Sequence, residues 1–377
     1  MSGKLEQLLC KIHQQSHCHL VGNATTGLWL ALAALGLRGK RIAIPNSVCL
    51  NVPLAVLLSG NTPAYIDVTL RDFGIDIGEL IKKGDQIDAV IAVHAYGSVC
   101  NIQEIAAYCK SLGIPLIEDL AVAQGASLDG QPVGSFSDIA VVSFGAGKII
   151  DVGHGGAVMT SRLSLMNELV AREALLDVQS SSSQDAVSAF GQYHTDLYNR
   201  HYGSGINVFS TAFKICALEL RQHILCRFDR VYGLMIEERL EKLDAIVLLR
   251  QAKAEMLESL LTSFESASME IFRPPAGSVY WRFNVLIERR DALLKSLLAK
   301  KIRISSWFPS ADLFFDDRAV SRMNTPVSDY VGDRVLNLWV NEDVGSEYIE
   351  TVASELADHV TVGNTCLRDY DSDGRKQ

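Results

Sequence analysis

The chain has 377 residues, 48% of them hydrophobic and 21% charged, and carries a net charge of −9. That is enough apolar material for one large packed domain and a smaller one, and too little net charge per residue for a disordered chain. An acidic chain with no basic stripe or basic tail is a poor nucleic-acid binder, because phosphate contacts supply most of that affinity.

The opening MSGKLEQLLCKIHQQ mixes charged and apolar residues and has no signal-peptide core. No later apolar run reaches the roughly 20 residues of a membrane helix. A cytoplasmic protein with no membrane contact is expected, and the eight cysteines, which form no CxxC pair, fit reduced thiols. His13, His17, Cys18 and His19 cluster near the start. No second ligand group follows at metal spacing, so solvated or capping side chains are expected there and no metal.

From residue 24 helical and strand-like segments alternate. ATTGLWLALAALGLRG reads as a helix, RIAIPN as a strand, VPLAVLLSG as a buried helix and TPAYIDV as a strand. DAVIAVHAYG, NIQEIAAYCKSLG and IPLIEDLA follow as strand, helix and strand, then DIAVVSFGAG and GAVMTS as two more strands. Apolar strands without alternation suit a sheet covered on both faces, and strand–helix alternation implies right-handed crossovers and a mainly parallel sheet. SSSSQD, around Ser180 to Asp185, is expected to be a mobile loop. Helical spacing from Met235 to Leu261 predicts one long helix joining two domains, after which SVYWRFNVLIE, DALLKSLLAKKIRI and RVLNLWV form a smaller α/β unit. The expected division is a large domain over residues 1–245, a small domain over 246–362 and a disordered tail over 363–377.

Three pieces carry chemistry. IPLIEDLA ends in Glu118 and Asp119 at a strand terminus, where open α/β sheets place their ligands. A carboxylate there suits a protonated pyridine nitrogen, though a helix cap or surface acid is the commoner use. Ser143-Phe144-Gly145-Ala146-Gly147-Lys148 follows the next strand. Its lysine could react with an aldehyde cofactor, while strand–glycine loops carrying a lysine are also ordinary surface features. The spacing is not that of a Walker loop. Asn23-Ala24-Thr25-Thr26-Gly27 opens the first helix of the alternating series, where free N–H groups bind anions or simply take a cap. Trp281, Arg282 and Trp307 are candidates to face a substrate, Arg282 as a clamp for carboxylate or phosphate; packing or solvation are the competing uses.

These pieces, in this order, resemble the DegT/StrS-type sugar aminotransferases, a family of fold-type I enzymes that use pyridoxal 5′-phosphate. The family pattern SGTxALxLAL is matched by NATTGLWLAL (23–32), and HxYG by His94, Tyr96 and Gly97. VIEDxAxAxGA is matched by LIEDLAVAQGA (116–126), GxxVGSxxDIxxxSF by GQPVGSFSDIAVVSF (130–144) and GEGGA by GHGGA (153–157). LEKLD (240–244) and RISSWFPS (303–310) are similar to later family segments.

The resemblance implies a large domain with a mainly parallel seven-stranded sheet between helices, plus a smaller C-terminal α/β domain. It implies that Lys148 holds the cofactor as a Schiff base and moves the proton in transamination, and that Asp119 binds the ring nitrogen. Ala121 would lie on the ring face, and Ala24, Thr25 and Ser143 would hold the phosphate. A homodimer with its active site at the interface is implied as well, with glutamate as the usual donor and a keto sugar or natural-product precursor as acceptor.

Several positions depart from the pattern. Val122 stands where the family has Gln or His near the cofactor's phenolic oxygen, with Gln124, His94 or Tyr96 as possible substitutes. His154 replaces the glutamate of GEGG. Ser47 or Cys49 takes the place of an aromatic residue, and LCRFD (225–229) keeps only Arg227 of a segment that reaches the partner's phosphate. Elimination, dehydration or decarboxylation on the same fold, or a non-catalytic scaffold, are the alternative functions.

Overall fold

The computed structural model of the chain describes residues 3–180, 185–186, 188–189, 191–192, 218–315 and 324–373. Its centre is a seven-stranded sheet made of β1 (His17–Val21), β2 (Arg41–Pro45), β3 (Thr62–Ile66), β4 (Ala89–Val93), β5 (Leu116–Asp119), β8 (Ile139–Ser143) and β9 (Gly156–Thr160). A two-stranded hairpin, β6 (Ser127–Leu128) and β7 (Gln131–Pro132), lies outside it. The strand order is β1-β9-β8-β5-β4-β2-β3, and only β9 runs against its neighbours.

β4, β5, β8 and β9 are buried at every position, because helices cover both faces. The pleat divides their side chains. Val141 of β8 joins the core beneath α2 (Ala24–Ala34), α3 (Asn51–Leu58) and α6 (Leu163–Glu173). Its neighbours Ala140 and Val142 join the opposite core, beneath α1 (Lys4–His13). The outer strands are covered on that second side by α4 (Ile77–Lys83) and α5 (Ile102–Leu112), through Leu80, Ile105 and Cys109.

The N-terminal region differs from expectation. Residues 4–13 form α1, and the His/Cys cluster runs into β1 at the sheet edge. His13 is 1% exposed, not solvated, and donates Nδ1–H to Val133 O at 2.9 Å. His19 Nε2 lies 3.4 Å from Glu173 Oε2. Edge pairing with β9 and the apolar stripe of α1 draw the segment onto the core.

The expected single helix over 235–261 is two, α7 (Gly233–Leu240) and α8 (Leu243–Leu261). The chain tightens at Lys242, whose N–H donates to Arg239 O, and Leu240 and Leu243 on either side of the break bury in one core. A second, four-stranded antiparallel sheet has the order β10-β11-β13-β12, from Met269–Ile271, Phe283–Ile287, Val335–Leu338 and Ile304–Ser305. It packs against α8, α9 (Arg290–Ala299) and α11 (Ser346–Asp373) over its own core, and α10 (Pro326–Arg334) precedes β13. α11 continues to Asp373, so 363–373 is helical where a disordered tail was expected. Extending a formed helix takes far less than starting one. Residues 181–184, the centre of the expected SSSSQD loop, lie outside the described residues.

One seam joins the two sheets. After β4 the chain turns through Tyr96 (φ 58°) and Gly97 (φ 84°). Gly97 O accepts Val279 N–H and Tyr96 O accepts Trp281 N–H, at 2.8 and 3.0 Å, while the Tyr96 hydroxyl accepts Phe308 N–H at 2.7 Å. Asn337, fully buried on β13, holds the strand leading to Phe308. Its Nδ2 donates to Asn284 Oδ1 and Trp307 O, and its Oδ1 accepts Ser305 Oγ–H and Trp307 N–H.

A Cβ at position 97 would stand 1.8 Å from Val279 O, whereas one at Gly113, also at positive φ, meets nothing. Gly97→Ala is therefore expected to destabilise by roughly 3 kcal/mol or more and Gly113→Ala by about 1 kcal/mol, as read from denaturant midpoints. Asn337→Ala orphans several buried groups and should lose roughly 2–4 kcal/mol by the same measurement.

Candidate active site

The carboxyl ends of β4, β5 and β8 and the N-terminus of α2 converge on one place. Period-two alternation at the end of β5 gives the two adjacent acids opposite work. Glu118 is fully buried and accepts Gly134 N–H (2.8 Å), Phe136 N–H (3.0 Å) and His94 Nε2–H (3.2 Å). It pins the 130–136 turn and the end of β4, so its role is structural. Asp119 is 5% exposed, and the one protein hydrogen bond its side chain shows among the described residues comes from Ala121 N–H, at 2.8 Å. Burial pushes its carboxyl up, against the pull of the Ala121 N–H and the Lys148 cation.

Lys148 lies on the loop after β8. Asp151 braces that loop by accepting Gly147 N–H (2.6 Å) and Gly153 N–H (3.0 Å), and Trp281 Nε1–H donates to Gly147 O at 2.6 Å. The lysine is half-buried, and its Nζ has no hydrogen bond or ion pair among the described residues. Cys49 stands within the electrostatic reach of both Lys148 and Asp119, with burial pushing its thiol up. Of the two residues at the missing aromatic position it is therefore Cys49 that neighbours the site. Ser47 is buried, with its hydroxyl donated to Phe308 O.

Asn23 caps α2, accepting Thr26 N–H at 2.8 Å and donating Nδ2–H to Ile224 O at 2.8 Å. The N–H groups of Ala24 and Thr25, one residue earlier in the turn, have no acceptor among the described residues. Ser143 pairs with Gly156, and a Cβ on Gly156 would stand 3.1 Å from Ala24 N. The free end of α2 and Ser143 are thus side by side, an arrangement suited to an anion.

Among the departures, Val122 is 6% exposed and packed in the second core. His94 is taken up by Glu118 through Nε2 and by Cys100 N–H, which donates to Nδ1 at 3.3 Å. Gln124 is 1% exposed, and neither of its amide atoms has a partner among the described residues. His154 stacks on Tyr232, ring centroids 4.7 Å apart, and burial lowers its pKa. Leu225 is core, while Arg227 is half-exposed with Nε 3.6 Å from Glu173. Trp307 is held by its backbone at Asn337, and Arg282 stacks between Trp281 and Trp339. Asp151, Asn337 and Trp339 had no sequence signal pointing to them. Asn337 and Trp339 act through partners distant in the chain, whereas Asp151 braces its own loop.

The described residues contain no group of three or more His, Cys, Asp or Glu side chains placed to hold a metal, and no helix long and apolar enough to cross a membrane. Residues 2–357 match the model of the DegT/DnrJ/EryC1/StrS aminotransferase family. GDP-perosamine synthase of Vibrio cholerae is 25% identical over 332 residues, 85% of this chain and 80% of that protein. The UDP-N-acetyl-3-dehydro-alpha-D-glucosamine 3-aminotransferase of Acidithiobacillus ferrooxidans is 27% identical, over 90% of this chain and 83% of its own length. Among solved structures, DesI in the presence of its TDP-sugar product superposes with a TM-score of 0.77 at 21% identity, covering 98% of this chain and 88% of that one. NtdA from Bacillus subtilis with bound cofactor PMP gives 0.73 at 19% identity, covering 96% and 78%. The chain is a member of the DegT/DnrJ/EryC1/StrS aminotransferase family.

Proposed function

We propose that the protein is a pyridoxal 5′-phosphate-dependent aminotransferase that moves an amino group from an amino acid, glutamate by expectation, to a keto group on a sugar. The observation that carries this is the meeting of an unpartnered half-buried amine, Lys148, with a buried carboxylate, Asp119, beside the open N-terminus of α2. These residues fit the cofactor's three polar ends. Lys148 Nζ would take the aldehyde carbon covalently, Asp119 would face the ring nitrogen, and Ala24, Thr25 and Ser143 would receive the phosphate. Ala121, whose N–H orients Asp119, would lie on the ring face. When bound, the pyridine ring supplies an electron sink for amino transfer.

The protein's part follows from its own groups. Asp119 keeps its charge against burial more easily with a protonated ring nitrogen opposite. Lys148 Nζ would also be the base that carries the proton between carbons in amino transfer. The sugar acceptor is supported by the names of the relatives in Vibrio cholerae and Acidithiobacillus ferrooxidans. A homodimer with a shared site is part of the proposal. Arg227 is half-exposed, and the apolar Val231, Leu234 and Met235 that follow it are exposed. Division into a large domain to residue 245 and a small one over 246–362, and a cytoplasmic location, complete the reading. The separate core of the second sheet supports that division.

The test is borohydride reduction of the protein mixed with pyridoxal phosphate, followed by peptide mapping. A pyridoxyl group on Lys148 is expected, and an unmodified Lys148 would sink the reading. Adding glutamate before reduction should convert the cofactor to its amine form and abolish labelling, which an elimination or decarboxylation enzyme would not do.

The raised pKa of Asp119 gives a second expectation. An acid whose folded pKa lies above its unfolded value destabilises the fold as pH rises through the unfolded value. Asp119→Asn should therefore melt at or above the wild-type temperature at pH 7–8 without cofactor, while losing on the order of 10²-fold or more in turnover. Loss of stability at that pH, measured by thermal denaturation, would contradict it.

A further inference from the structure

The small sheet has two unlike faces. Phe283, Val285 and Ile287 of β11 join the core beneath α8 and α11. The alternate positions Arg282 and Asn284, with Asn337 and Trp339 of the β13 line, meet one another on the opposite face. Arg282 stands out there. It is 5% exposed, and its guanidinium carbon lies 4.5 Å from the Trp281 ring centroid and 4.1 Å from that of Trp339. Nη1 donates to Trp281 O at 2.7 Å, but Nε has no partner, and no carboxylate pairs with the side chain among the described residues. The other deeply buried arginines are paired: Arg250 with Glu342 at 3.4 Å and Arg290 with Asp291 at 2.7 Å.

Burial, then the nearby cations Arg250 and Arg303, push the Arg282 pKa down to about 9. Asp151, one source of opposing charge, already accepts from Gly147 and Gly153. An unneutralised buried guanidinium is costly, and an arriving anion would relieve that cost. The indole Nε1–H of Trp339, beside it, is also buried without a partner. The location decides what the anion is for. A Cβ on Gly147 would lie 3.7 Å from Arg282 Nη2, and Lys148 is the next residue. Enclosure between two indole faces suits a flat carboxylate, which the guanidinium fork can grip with two parallel bonds, better than a diphosphate bearing a nucleoside.

We propose that Arg282 binds a carboxylate of the amino-acid donor beside Lys148, with the Trp339 indole N–H as a further donor. The proposal rests on the reading of Lys148 as the amino-transfer site, so its test is chosen to fail separately. Glutarate, a dicarboxylate with no amino group to transfer, is titrated into the protein while tryptophan fluorescence is followed, since Trp281 and Trp339 flank the guanidinium. A saturable change is expected in the wild type, weakened at least about tenfold in Arg282→Gln. KM for glutamate should rise by a similar factor, with KM for the keto acceptor and pyridoxyl labelling of Lys148 unchanged. If Arg282→Gln fails to fold, Arg282→Lys, which keeps the charge but not the fork, should show the same effect in weaker form. Equal glutarate affinity in wild type and folded variant would overturn the proposal, as would tighter binding of inorganic pyrophosphate than of glutarate. Arg282-dependent glutarate binding without labelling of Lys148 would sink the aminotransferase reading and leave the anion site standing.

Discussion

Gly97 O, Tyr96 O and the Tyr96 hydroxyl receive three N–H groups from the second sheet and its loops, and the geometry of the site hangs on that seam. It can close only because residue 97 has no Cβ, which lets the backbone of 279–281 come into direct contact. Once closed, Trp281 reaches Gly147 O and pins the loop that carries Lys148. Phe308 then stacks on both Tyr96 and Trp281, so the junction is filled with aromatic surface.

The ionisable groups near the site sort by what surrounds them. Glu118 is buried deeper than Asp119 but fully provided with donors, and it behaves as a structural staple. Asp119 is left with one donor and the field of the Lys148 cation, Lys148 with no hydrogen-bond or ion-pair partner among the described residues, and Arg282 with a single carbonyl. Buried charge without compensation is rare because it is unstable, and its concentration around one loop marks a place completed by ligands. The polar ladder of Asn284, Asn337 and Ser305 is the counter-example: every member is bonded, and it serves to hold Trp307 and Phe308.

Much of this was legible locally. Strands without alternation announced a sheet covered on both sides, and the NATTG helix start, the strand-end acid pair and the SFGAGK loop gave, in that chain order, the three pieces that the fold brings to one end of the sheet. The single predicted helix over 235–261 failed because its break at Lys242 keeps the helical spacing of Leu240 and Leu243 almost unchanged, so periodicity does not register it. The first helix was within reach: Leu5, Leu8, Leu9 and Ile12 recur at helical spacing. The histidines that follow read as solvated or capping side chains, whereas His13 is a core residue bonded to Val133 O.

The sequence alone determined the family and the α/β order and singled out Lys148 and Asp119 as the residues proposed for the site, because those signals reside in short runs whose spacing is set by helix and strand periods. Only the tertiary structure decided which neighbours are free to act. It assigned His94 to Glu118, Val122 to the core and Cys49 to the lysine's surroundings. It also brought Trp281 to a carbonyl 134 residues away and Phe308 to a hydroxyl 212 residues away. Such contacts leave no local pattern, since each depends on how two separately folded sheets meet, and so the unpaired state of Arg282 appears only once both are in place.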